Sequence, residues 1–141
     1  MPTPFSGGCL CGAIRYECST EPIMVANCHC RDCQRASGSA FATNLVVPVE
    51  SVSLSKASPT YHDTLADRGH TMSRGFCPTC GARLMLKNSA YPDILVIHAS
   101  SLADPSWVRV GMDIYTASAQ PWDFLDPLRR HFTHMPERKT A

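Results

Sequence analysis

The sequence predicts a mainly β domain with little helix. Three observations carry that expectation. Apolar and alternating runs are short, about eight to ten of them, each the length of a strand. Proline and glycine, 11 and 8 of 141 residues, punctuate the chain between those runs. No stretch keeps a long helical periodicity, and no internal repeat or low-complexity segment is present. Such a chain folds as a sandwich, a barrel or a folded-over sheet.

In order, residues 1–8 read as a loose entry rich in Pro, Ser and Gly. From Ala13 to Cys18 the pattern alternates, with Ile14, Tyr16 and Cys18 on one face and Arg15 and Glu17 on the other. That is a half-buried strand, and it makes Cys18 a buried apolar residue. The apolar run Ile23 to Ala26 leads into a cysteine-rich loop. Arg31 to Ala36 suits one helical turn, stopped by Gly38. Phe41 to Val49 reads as a strand with Pro48 at an edge or break. Residues 50–70 suit short strands near Val52–Leu54 and Tyr61. Arg83–Lys87 and Ile94–Ala99 are strands, the second buried, and His98 on it reads as a core histidine. Val108–Val110 and Ile114–Thr116 are weaker strands. Leu128–Phe132 suits a short helix in a basic tail that then frays. Trp107 and Trp122 are expected to pack against the sheet.

At 141 residues the chain is read as one domain, 1–141, with a core of about 6–127 and a tail of 128–141. Its formal net charge is +1 without long charge runs, which argues against nucleic-acid or membrane-surface binding through charge. Residues 1–13 lack the charged and apolar regions of a signal peptide, and no apolar run suits a membrane helix. A cytoplasmic location follows as an expectation. There, clustered cysteines are metal ligands before they are disulfides. The alternative is a secreted domain with four disulfides, and the spacing of Cys9 with Cys11 and of Cys28 with Cys30 counts against it.

Eight cysteines are present, and seven fall into three groups. Cys77-Pro78-Thr79-Cys80-Gly81 has the spacing of a zinc knuckle, whose turn aims amides at two sulfurs. A knuckle needs two more ligands. Cys9-Leu10-Cys11-Gly12, a second tight pair before a glycine, is the natural donor. Together they make a closed, structural four-thiolate zinc site. The stretch Cys28-His29-Cys30-Arg31-Asp32-Cys33 holds three more thiols. Three protein ligands and one open position are the form of a catalytic zinc. Soft thiolates there suit exchange of a substrate thiolate better than making hydroxide. A distant fourth ligand, His62, His70, His98 or Asp113, would instead close this second site. His29 is expected to point away from the metal. Arg31 and Arg35 flank the cluster, where they either hold a substrate carboxylate or stand as solvated surface residues.

These residues resemble the glutathione-dependent formaldehyde-activating enzyme family, which includes domains like that of centromere protein V. The likeness rests on Gly8-Cys9-Leu10-Cys11-Gly12-Ala13-Ile14-Arg15-Tyr16, then on the run from Cys28 to Phe41. It continues in Arg74-Gly75-Phe76-Cys77-Pro78-Thr79-Cys80-Gly81 and ends in Ile114-Tyr115-Thr116-Ala117-Ser118 with Pro121-Trp122. It spans roughly residues 6 to 127. The resemblance implies a β-tent, two folded-over antiparallel sheets meeting at a closed zinc site. It implies a structural zinc on Cys9, Cys11, Cys77 and Cys80 and a second zinc on Cys28, Cys30 and Cys33. The implied activity is of a carbon–sulfur lyase type, condensing formaldehyde with glutathione to S-hydroxymethylglutathione or the reverse. Two departures stand out. Members often carry His where this chain has Asp113, and the tail with Arg129, Arg130, His131 and His134 does not follow the usual ending. Competing readings are a non-catalytic zinc-binding scaffold or protein-binding module, and a redox sensor that loses zinc when the trio is oxidised.

Overall fold

Alternating and apolar runs become strands wherever a neighbouring strand completes their hydrogen bonds. The computed structural model describes residues 3–136. Its elements are β1 (Phe5–Gly8), β2 (Ile14–Cys18), β3 (Met24–Cys28), α1 (Arg31–Ser37), β4 (Ala42–Pro48), β5 (Val52–Lys56), β6 (Thr60–Leu65), β7 (Thr71–Phe76), β8 (Arg83–Asn88), β9 (Ile94–His98), β10 (Met112–Ile114) and β11 (Arg130–His131). The protein is mainly β. The pairs β1–β2, β2–β5, β6–β7, β7–β8 and β8–β9 are antiparallel, and β10 runs parallel to both β3 and β11. Among the described residues no helix is long and apolar enough to cross a membrane.

The chain divides into two units. The first takes residues 1–24 and 45–108, the second residues 25–44 and 109–141. In the first unit, β2 is the centre of a three-stranded sheet between β1 and β5. Its expected alternation holds: Ile14, Tyr16 and Cys18 are buried, Arg15 and Glu17 exposed. The Cys18 sulfur lies 3.3 Å from Ser51 Oγ inside this layer. The same unit carries antiparallel strands in the order β9-β8-β7-β6. Leu84, Met85 and Ile97 are fully buried on β8 and β9, while His98 at the end of β9 is half-buried.

Tyr16 of the small sheet bonds Ser101, just past β9, at 2.6 Å with both groups buried. The backbone of β1 passes so close here that a Cβ on Gly7 would sit 2.3 Å from Tyr16 Oη and 2.4 Å from Ser101 O. Only glycine fits that gap. Trp107 packs on Phe5 at 5.1 Å between ring centres, as expected.

The second unit is built on parallel pairing. Met112, Asp113 and Ile114 of β10 register with Ala26, Asn27 and Cys28 of β3. On its other side β10 pairs with β11. Cys30 caps α1 by accepting the Cys33 amide on its sulfur at 3.3 Å, and Gly38 ends the helix in the left-handed region.

Several expectations need correction. Residues 1–8 contain a strand, because Gly7 and Gly8 pair with Tyr16 and Arg15 through backbone groups alone. Thr71 to Phe76, which is not among the expected strands, is a strand between β6 and β8. Val108–Val110 is not a strand, and Thr116 opens a 3-10 turn. Leu128–Phe132 forms no helix. Its backbone turns at Leu128 and then pairs with β10 as β11, which exchanges helical bonds for bonds to a neighbour. Trp122 is 72% exposed rather than packed. The last part of the tail, 137–141, lies outside the described residues.

Candidate metal centres

In the first unit the turn after β1 and the turn between β7 and β8 bring four sulfurs together. Cys9, Cys11, Cys77 and Cys80 offer sulfur atoms that all lie within 4.8 Å of one another. Cys9 and Cys11 are 3.6 Å apart, Cys11 and Cys77 3.7 Å. Four sulfurs tetrahedral about zinc at roughly 2.3 Å would stand about 3.8 Å from each other. The cluster has that size.

The turns are shaped for it. Gly81 takes φ +76, a conformation that glycine adopts without strain, and donates its amide to the Cys77 carbonyl at 2.8 Å. The Ile14 amide points at the Cys9 sulfur from 3.3 Å. Burial would raise the Cys9 thiol, but the Ile14 amide and the neighbouring thiols outweigh it and bring it down to about 6. Cys11 moves the other way. The Ala13 amide favours its thiolate, yet burial and the sulfurs of Cys9, Cys77 and Cys80 push it up to about 11. Packed sulfurs thus resist losing their protons together. A dication removes that conflict, which is why such a cluster fits zinc.

The second unit holds the trio. Cys28 ends β3, Cys30 is the α1 cap and Cys33 lies in the first turn of α1. Their sulfurs also lie within 4.8 Å of one another. The sulfurs of Cys30 and Cys33, then burial, push the Cys28 thiol far up, as crowding does at Cys11. Among the described residues no fourth His, Cys, Asp or Glu joins the group. The donor set therefore fits a metal with one position left open. All eight cysteines are free of disulfides.

The candidate fourth ligands lie elsewhere. His62, His70 and His98 belong to the first unit and do not enter the trio. Asp113 is fully buried and engaged by other groups. Its Oδ1 bonds His29 Nε2 at 2.8 Å, and its Oδ2 accepts Arg129 Nε at 2.8 Å. Burial alone would raise its pKa; the bonds from Arg129 and His29 outweigh that and hold the carboxyl below its usual value.

His29, between two of the trio's cysteines, turns away from the sulfurs as expected. Its Nδ1 lies 3.0 Å from Asp123 Oδ2, an ion-pair distance not aligned as a hydrogen bond. Its amide donates to Ile114 O at 3.0 Å, and its carbonyl accepts Gln34 Nε2 at 2.6 Å. Gln34 Nε2 also donates to Ser118 O at 3.0 Å, and Gln34 Oε1 accepts from Gln120 and Arg31. The roles of Gln34 and Asp123 are not legible in the sequence, since a buried glutamine on a short helix and an aspartate beside an exposed tryptophan carry no pattern. Arg31 and Arg35 are both exposed on α1.

Three comparisons bear on these centres. The sequence matches the family described as glutathione-dependent formaldehyde-activating enzyme over residues 4–118. Among curated proteins none matches. The fold is similar to the crystal structure of a Rhodobacter sphaeroides protein, with a TM-score of 0.58 and 17% identity, over 91% of this chain and 99% of that one.

Proposed function

The chain belongs to the glutathione-dependent formaldehyde-activating enzyme family, and on that premise we propose that it is a zinc-dependent carbon–sulfur lyase-type enzyme. Its substrate is a small thiol adduct such as S-hydroxymethylglutathione. The observation that carries the reading is the trio Cys28, Cys30 and Cys33, three converging sulfurs with no fourth side-chain ligand among the described residues.

The reaction balances simply. The glutathione sulfur attacks the formaldehyde carbon and a C–S bond forms. The carbonyl π pair moves onto oxygen, which takes the proton the thiol gives up. The reverse breaks the same bond. A zinc ion on the trio would supply a Lewis acid for a thiolate or an aldehyde oxygen. The chain's own part is to hold and orient. Cys28, Cys30 and Cys33 would hold the ion, and Cys9, Cys11, Cys77 and Cys80 would hold a second, structural one. Arg31 and Arg35 on α1 offer cations for a peptide-like carboxylate. Eight cysteines outside any disulfide suit a reducing compartment, so the cytoplasm is the proposed location.

Glutathione added to the cobalt-substituted protein tests the reading. A change in the sulfur-to-metal absorption supports it, and an unchanged band up to millimolar thiol rejects it. A non-catalytic zinc-binding scaffold or protein-binding module is the second reading. It is favoured by one feature: Trp122, Phe124 and Leu128 are 72%, 80% and 92% exposed within one short segment. An inert cobalt band in protein that holds two ions would favour it.

A further inference from the structure

His29 is held on four sides, by Ile114 O, Gln34 Nε2, Asp113 and Asp123. It separates Cys28 from Cys30, so its position sets theirs. The hold continues outward through Asp113. Arg129 Nε reaches Asp113 Oδ2 at 2.8 Å, and its Nη2 lies 3.4 Å from Oδ1. His131 Nε2 stands 3.5 Å from Oδ2.

Arg129 is delivered by the chain that runs beside β10. The Phe132 amide donates to Asp113 O at 2.9 Å, the Tyr115 amide to His134 O and the Thr116 amide to Phe132 O, both at 3.1 Å. The family match ends at residue 118, so Asp123 and Arg129 both come from beyond it. The two places where the sequence departs from the family pattern, Asp113 and the tail, are thus in direct contact.

We propose that Arg129 is a positioning residue for the three-cysteine loop: it locks Asp113, Asp113 fixes His29, and His29 sets the spacing of Cys28 and Cys30 for a metal ion. This rests on the reading that the trio holds a metal. The physical ground is the burial of Asp113. A buried carboxylate that loses its cation either takes up a proton or turns toward water. Turning away breaks the bond to His29, and protonation removes its charge and weakens it. Arg129 is the permanently charged partner: its Nε holds Oδ2 at 2.8 Å and its Nη2 touches Oδ1 at 3.4 Å, so the fork fixes the carboxylate with Oδ1 aimed at the ring.

The test is metal retention, not activity. Full-length protein is loaded with cobalt and competed with a chelator as wild type, Arg129→Ala, Arg129→Lys, Arg130→Ala and Asp113→Asn. Wild type should hold two ions. Arg129→Ala should give up one of them about tenfold more readily, with a shifted d–d spectrum. Asp113→Asn should do the same, and it keeps the inference testable if Arg129→Ala does not fold. Arg129→Lys should recover most of the retention. Arg130 stacks on Phe132 at 5.1 Å, and its alanine variant should match wild type. The other ion should remain in every variant, which shows that the first unit is folded. Unchanged competition in Arg129→Ala, no rescue by lysine, or an equal loss in Arg130→Ala would each overturn the inference alone. A wild type that binds a single ion would remove the parent reading with it.

Discussion

Cys30 serves two purposes with one atom. Its sulfur caps α1 through the Cys33 amide and also belongs to the trio. Serine can take over the cap but is a poor partner for a soft ion. Cys30→Ser should therefore fold, bind one ion per chain instead of two, and match within about 1 kcal/mol the stability of wild type loaded with the four-sulfur ion alone. Metal counting and urea melts measure both halves. His98 makes a different residue-scale prediction. Burial, then the charges of Arg74 and Arg83, lower its pKa from 6.5 to about 4. Unfolded, the ring takes a proton below about pH 6.5; folded, it resists until about pH 4. Its share of stability is complete above the higher value and is lost as pH falls toward the lower. Between roughly pH 7 and pH 5 wild type should lose about 2 kcal/mol more than His98→Gln. Urea melts at the two pH values check the difference, because protonation of the thiolates is common to both proteins.

At the scale of elements, β1 is the tightest joint. Gly7→Ala would drive a methyl into Tyr16 Oη and the Ser101 backbone. The strand must move, at a cost of about 1–3 kcal/mol, read from the midpoint of a denaturant curve. Elements with a side-chain pattern were legible in the sequence. β2 alternates, α1 has a stop glycine, and β8 and β9 are short apolar runs. β1 was not legible, because Gly7 and Gly8 pair through backbone and show no period. β11 was misread as helix, since its strand form comes from pairing with β10, which no local propensity reports. The site divides the same way. Seven sulfurs announced themselves by spacing. The hold on His29 did not, because Asp113, Asp123 and Arg129 meet it only through the fold.

For the whole molecule, the two clusters should differ in what their loss does. The four-sulfur cluster joins turns from the two sheets of the first unit, so its metal adds to folding free energy, on the order of 10 kcal/mol in small zinc domains. Cys80→Ala should fail to reach a cooperative melt by circular dichroism. Triple replacement of Cys28, Cys30 and Cys33 by serine should keep a cooperative melt and lose one ion. A cooperative, near-wild-type Cys80→Ala would contradict the structural assignment of that cluster.

The parallel ladder between β3 and β10 has a consequence for biosynthesis. His29 waits 84 residues for Asp113, and a further 16 separate Asp113 from Arg129. During translation all four cysteines of the first cluster are joined to the chain before Asp113 is added. The trio is made early but stays unbraced until Asp113 and Arg129 have followed. A nascent polypeptide stalled after residue 108 would carry every thiol of both clusters and only one of the two frameworks that hold them.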